Sequence, residues 1–124
     1  MGRAEFVQGL RALGLSVDDR ADDFVTFPWQ IPLGPRAGER IRLGLQVPPD
    51  VEETPPSGPH VSPHLLPLTQ GGAPTHPFGG VHTSPLGADW QYWSRPYPNP
   101  PGWASTDRSA RTYMRHITHL FDTL

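Results

Sequence analysis

The sequence predicts an α+β domain. The expected order is an N-terminal helix, a small antiparallel β-meander, a long proline- and glycine-rich loop and a C-terminal amphipathic helix. Three observations carry this. Apolar residues near both ends recur at helical spacing; residues 24–47 hold two strand-like runs joined by a short loop; and most of the prolines fall within residues 48–102. Residues 1–124 read as a single domain, long enough for a core but small enough that the core must be efficient. This element order places both helices on one sheet.

In chain order, Phe6, Val7, Leu10 and Leu13 share a helical stripe within residues 3–13, and Gly14 is placed to stop that helix. Asp18, Asp19, Asp22 and Asp23 read as a solvated acidic turn. Phe24 to Ile31 is rich in aromatic and β-branched residues, as strands are, and Pro28 within it points to an edge strand or a bulge. After a loop at 34–39, Ile41, Leu43, Leu45 and Val47 alternate with Arg40, Arg42, Gly44 and Gln46, the period of a strand with one buried face. The two runs and their short connection predict an antiparallel hairpin. Residues 59–63 suggest a short third strand ended by Pro63. Leu65, Leu66 and Leu68 form an apolar patch, and 70–80 reads as an exposed glycine-rich loop.

The last third is the most regular. Ala110, Tyr113, Met114, Ile117, Leu120, Phe121 and Leu124 step by 3, 1, 3, 3, 1 and 3, one buried helical stripe. Ser105, Thr106 and Asp107 are all residues able to cap it, so a helix is expected over 106–122. Before it, Trp90 to Arg95 and Trp103 place three of the four tryptophans within fourteen residues, rings that need a wall to pack on.

Composition bounds the function. A net charge of −2 gives no reason to expect nucleic acid or an anionic membrane as partner. No apolar run approaches a bilayer's thickness, and the first residues lack the apolar centre of a signal peptide, so a cytoplasmic protein is expected. There is no cysteine, which excludes disulfides, thiolate metal sites and thiol nucleophiles. All ten cations are arginine. Codon bias in a GC-rich genome explains that; the sharper reading is a protein that handles an amine-targeting conjugation system and avoids modifying itself. The 13 glycines and 17 prolines make up about a quarter of the chain, close to the level of disordered sequences. The reading is of stiff, proline-braced loops; the competing one is two folded ends joined by a disordered middle.

Six histidines invite a metal, but their spacing gives none. His60 and His64 are kept off a helix by Pro59 and Pro63, and His116 with His119 lacks a third ligand. No metal and no cofactor is expected. Ser84 lies two residues from His82, with Asp89 nearby, but there is no Gly-x-Ser-x-Gly elbow, and a polar loop is the plainer reading.

From Pro55 onward, Pro55-Pro56 followed by Val61 is similar to the proline pair before the third strand of the ubiquitin-conjugating-enzyme fold. His76-Pro77-Phe78 looks like a degenerate His-Pro-Asn turn, and Trp93-Ser94 lies at nearly the expected distance from it. Trp90-Gln91-Tyr92-Trp93-Ser94-Arg95, then Trp103 and Arg111-Thr112-Tyr113, resembles the C-terminal signature of bacterial ubiquitin-conjugating-enzyme-like (UBC-like) proteins. The resemblance covers most of the chain in order, with its specific motif confined to 90–113. It implies a UBC-like fold, with a ubiquitin-like protein and an activating enzyme as partners. The family's thioester-forming cysteine should fall near Pro85 or Leu86, and neither supplies a thiol; the asparagine that helps stabilise the oxyanion is missing after Pro77. The expected function is therefore a non-catalytic adaptor. Its candidate partner-binding residues are Trp90, Tyr92, Trp93, Trp103, Leu65 and Leu66, for which core packing is the alternative. The second reading is an enzyme, hydrolase or oxyester-forming, using Ser84 with His82 as base, with His76 a further weak candidate. A third is a small structural subunit unconnected with ubiquitin-like systems.

Overall fold

The structure, a computed structural model, describes residues 2–69, 80–98 and 102–124. Helix α1 (Arg3–Ala12) leads into six strands: β1 (Asp18–Asp19), β2 (Phe24–Gln30), β3 (Arg40–Gln46), β4 (His60–Ser62), β5 (Val81–Ser84) and β6 (Gly87–Trp93). A single 3₁₀ turn (Trp103–Ser105) precedes helix α2 (Ala110–Asp122). The strands form one antiparallel sheet in the order β1-β2-β3-β4-β6-β5. The α+β class and the helix at each end agree with the sequence reading. The sheet is larger than the expected meander, because β5 and β6 extend it beyond β4.

Register explains which side chains are buried. Val25 pairs with Leu45, Phe27 with Leu43, Leu43 with Val61, Val61 with Gln91, and Val81 with Trp93. Paired residues point to the same face, so these define one side of the sheet, and the helices pack there. Phe6, Val7 and Leu10 of α1 join Tyr113, Met114, Ile117 and Phe121 of α2 in that core. Phe121 meets the rings of Trp93 and Trp29 at 4.9 and 5.1 Å, and Phe6 meets Tyr113 edge-on at 6.2 Å. Where the helices cross, Gly9 lies against Ala110, whose methyl would stand 3.0 Å from any added Cβ.

The opposite face is also partly closed. Thr26, Gly44, His60 and Tyr92 fall on it by register. The turn after β5 folds over it, so that Leu86 lies against Gly44, where an added Cβ would stand 2.5 Å from Leu86 Cδ1 and 3.3 Å from the Trp90 ring. Phe24 and Trp90 are buried on this side, apart from the main core.

Several local expectations are corrected. Helix α2 starts at Ala110 rather than 106, because Ser109 is its cap: the Ser109 hydroxyl accepts from the Thr112 N–H at 3.2 Å. Asp107 instead accepts from the Ser109 N–H at 3.1 Å, bracing the cap from two residues back. Asp18 and Asp19 are not a free acidic loop but a short strand against Thr26 and Val25. Asp19 holds Arg3 at 2.9 Å, and Arg3 also donates to the carbonyls of Val47 and Asp23. That arginine clamps the start of α1 to the open end of the β2–β3 hairpin. Pro28 is accommodated because β1 covers β2 only at Val25 and Thr26, leaving the Pro28 stretch on a free edge. The third strand ends at Ser62, before Pro63, as expected. Of the glycine-rich loop, 70–79 lie outside the described residues. No helix among the described residues is long and apolar enough to cross a membrane.

Ile117 is fully buried on α2. Ile117→Asp drives an unpaired carboxylate into the core, costing about 4 kcal/mol or more. The expected outcome is loss of the cooperative thermal transition in circular dichroism; a retained transition near the wild-type midpoint contradicts this packing.

Candidate functional site

The chemistry-bearing side chains gather on β4, β5 and β6. Ser84 ends β5 at an irregularity, where the register shifts between Thr83 and Ser84. Two residues on from His82, which pairs with Tyr92, its hydroxyl lies on the outer face of the sheet. There it meets His60 of β4, with Oγ 2.7 Å from Nδ1. The Leu86 N–H donates to the same oxygen at 3.1 Å. We assign the Ser84 hydroxyl as donor to Nδ1, which leaves the neutral imidazole its proton on Nε2.

His60, and not His82, is thus the histidine that reaches Ser84. Sequence proximity misled because the strand pairing, rather than the i, i+2 spacing, sets the contact. His82 is exposed and lies across β6 beside Tyr92, the rings 6.3 Å apart. Asp89 joins neither histidine; its carboxylate accepts from the Ser62 hydroxyl at 3.3 Å. His76 lies outside the described residues.

The environment of His60 limits what the pair can do. Its ring is buried between Phe24, met edge-on at 4.9 Å, and Tyr92, at 4.7 Å. Burial pushes its pKa down to about 4, because an imidazolium there would be charged among rings. A general base works best with a pKa near the operating pH, and among the described residues no carboxylate is hydrogen-bonded to this ring to stabilise its charged form. The hydroxyl joins the ring and the Leu86 N–H, and together they fasten the β5–β6 turn onto the sheet.

The expected partner-binding residues divide. Trp93 and Trp103 belong to the main core and Trp90 to the opposite buried face, at 0, 4 and 6% exposure. Their rings are therefore walls of the fold rather than open surface. Trp103 is further fixed by donating Nε1–H to the Val51 carbonyl at 2.7 Å. Tyr92, Leu65 and Leu66 are half-buried and keep an accessible part. Leu65 and Leu66 owe their position to a residue the sequence reading missed. Gln91, fully buried on β6, accepts from the Leu65 and Leu66 N–H groups at 2.9 and 3.1 Å and from Trp93 Nε1 at 2.9 Å. Its own amide donates to the Leu66 carbonyl at 2.9 Å. A glutamine between two aromatic residues in a strand was the available signal, because a polar side chain at a core-facing position must find partners there.

For a metal, the histidines do not converge. His64 bonds the Trp90 carbonyl at 3.0 Å, His116 is buried on α2 and His119 is exposed. Among the described residues no group of three potential ligands lies together. No family model, curated protein or solved structure matches the chain.

Two outcomes follow from these contacts. An unfolded histidine titrates near ~6.5, whereas His60 in the fold takes its proton only near about 4. Between those values the unfolded chain binds the extra proton. Stability therefore falls as the pH drops through that window, by up to about 1.4 kcal/mol per unit. His116, also shifted down chiefly by burial, acts in the same direction. Urea unfolding from pH 7 to 4 should show this slope, and His60→Gln should flatten it without removing the part due to His116. Gln91→Met keeps the bulk but strands three N–H donors, and should cost about 3 kcal/mol or more in the same measurement.

Proposed function

We propose that the chain is a cysteine-less UBC-like domain that acts as a non-catalytic adaptor in a bacterial ubiquitin-like conjugation system. It associates in the cytoplasm with a ubiquitin-like protein or with an activating or conjugating enzyme. The observation that carries the non-catalytic part is the state of Ser84. Its hydroxyl is bonded to a buried histidine with a pKa near about 4 and also takes the Leu86 N–H. A histidine so weakly basic is a poor acceptor for that proton at neutral pH. The resemblance of residues 90–113 to the UBC-like signature supports the partner class, and the helix–sheet–helix order is compatible with it. The accessible parts of Tyr92, Leu65 and Leu66 are the contact candidates.

The 2.7 Å contact between Ser84 and His60 favours a second reading, an oxyester-forming enzyme or hydrolase with His60 in place of His82. One experiment separates the two. The protein is incubated with the activating enzyme, ATP and the ubiquitin-like protein of a candidate conjugation system. The expected outcome is non-covalent association, seen by calorimetry, and no adduct on denaturing gels. A hydroxylamine-labile adduct that vanishes in Ser84→Ala establishes the enzyme instead. Absence of any association with the ubiquitin-like protein, the activating enzyme and the conjugating enzyme overturns the adaptor.

A further inference from the structure

Two buried side-chain polar atoms among the described residues have no hydrogen-bond partner, Nη2 of Arg95 and Nε2 of His116. Both residues line the same cleft, between the chain that leaves β6 and the later turns of α2. Arg95 is 3% exposed. Its Nη1 donates to the carbonyls of Gly80 and Ser94 at 3.2 and 3.3 Å, and its guanidinium lies 5.9 Å from the centre of the Trp93 ring. Those contacts hold the side chain in place but leave its charge without a carboxylate partner among the described residues. The carboxylates that pair with arginine elsewhere, Asp19, Asp23 and Glu39, serve Arg3 and Arg36. His116 is 8% exposed, one turn from the exposed His119.

A buried guanidinium without an anion is expensive, and buried donors are normally satisfied. We propose that this cleft binds a carboxylate carried on a short aliphatic stem, with Arg95 Nη2 donating to it and the His116 ring, which also hydrogen-bonds the Arg95 backbone, forming the polar wall beside it. The cavity holds about 280 Å³, more than a bare ion needs. Pro96, Pro98 and Leu120 supply apolar walls for the stem, and Thr123 adds a hydroxyl at the rim. One permanent cation matches one negative charge. A dianionic phosphate would be undercompensated in a site whose neighbouring histidine burial keeps from charging. Neither Arg95 nor His116 takes part in the Ser84–His60 pair, so the site does not depend on the adaptor reading.

The test is a nuclear magnetic resonance titration of the isotopically labelled protein with butyrate, and separately with inorganic phosphate. Butyrate should shift the Arg95 side-chain N–H and the His116 ring signals along a saturable curve. His116→Phe, which keeps a buried ring but removes its ring nitrogens, should retain the thermal transition and weaken binding by roughly tenfold or more. Arg95→Gln should abolish saturation; if it does not fold, the wild-type titration and His116→Phe decide. A linear, unsaturated response to butyrate overturns the site, as does equal affinity in His116→Phe. Tighter binding of phosphate than of butyrate overturns the carboxylate class.

Discussion

One carboxamide in the middle of the sheet holds the irregular half of this protein to the regular half. Gln91 sits on β6 facing the core and has no exposure. Its oxygen takes three N–H groups and its nitrogen gives one bond back. Two of those donors belong to Leu65 and Leu66, in a segment with no ladder of its own. Without Gln91 their backbone groups would be buried against Trp93 with no partner, at about 1–3 kcal/mol each. With it, the segment becomes a wall of the core, and Leu65, Leu66 and Leu68 pack there. The same amide fixes the Trp93 ring, which in turn carries Phe121 of α2.

The proline-rich chain elsewhere is anchored by the same device, a polar tip on an aromatic body. Trp103 reaches Val51 and Tyr113 reaches the Ser57 carbonyl, so rings from the C-terminal third grip the stretch between β3 and β4. Burial holds the Tyr113 hydroxyl well above the usual phenol range, so it remains a donor. Gly58 completes the seam. A Cβ there would stand 2.0 Å from the Trp93 carbonyl, and only a residue without one lets the chain before β4 run this close to β6. The adjoining Trp93 N–H donates to the Pro59 carbonyl at 2.9 Å. Prolines that cannot join a ladder are thus held by side chains and carbonyls.

What the sequence disclosed follows from which forces are local. The stripes Phe6–Leu10 and Ala110–Phe121 and the alternation Ile41–Val47 record burial at fixed periods, so α1, α2 and β3 were legible. β5 and β6 were not, because Pro85 and Gly87 read as loop and the run Trp90–Trp93 is aromatic without a clean alternation. Trp90 and Trp93 are both buried, on opposite faces, since the turn at Leu86 covers the outer side. Of the candidate site, Ser84 was legible as a residue but its partner was not. The contact with His60 spans 24 positions and is made by sheet pairing plus an irregularity that spacing does not encode. Gln91 was hidden for the same reason: its partners lie 25 and 26 residues away.

Polar satisfaction is otherwise thorough, and this gives the exceptions their meaning. The amide of Gln91, the indoles of Trp93 and Trp103 and the hydroxyl of Tyr113 each have a partner. His60 is bonded to Ser84, and Arg3, though only partly buried, collects two carbonyls and two carboxylates. An interior assembled under that constraint does not tolerate idle donors without reason, since a leucine or methionine in place of a buried arginine would remove the desolvation penalty outright. Arg95 keeps the penalty. Part of its guanidinium serves structure, through Gly80 and Ser94, and a lysine with a single compact head could not span those carbonyls and still present a second nitrogen elsewhere. The unused nitrogen and the idle ring nitrogen of His116 belong to residues lining one cleft with apolar walls. The interior departs from its own rule there and at no other buried side chain among the described residues, and that departure is what makes the cleft a binding site.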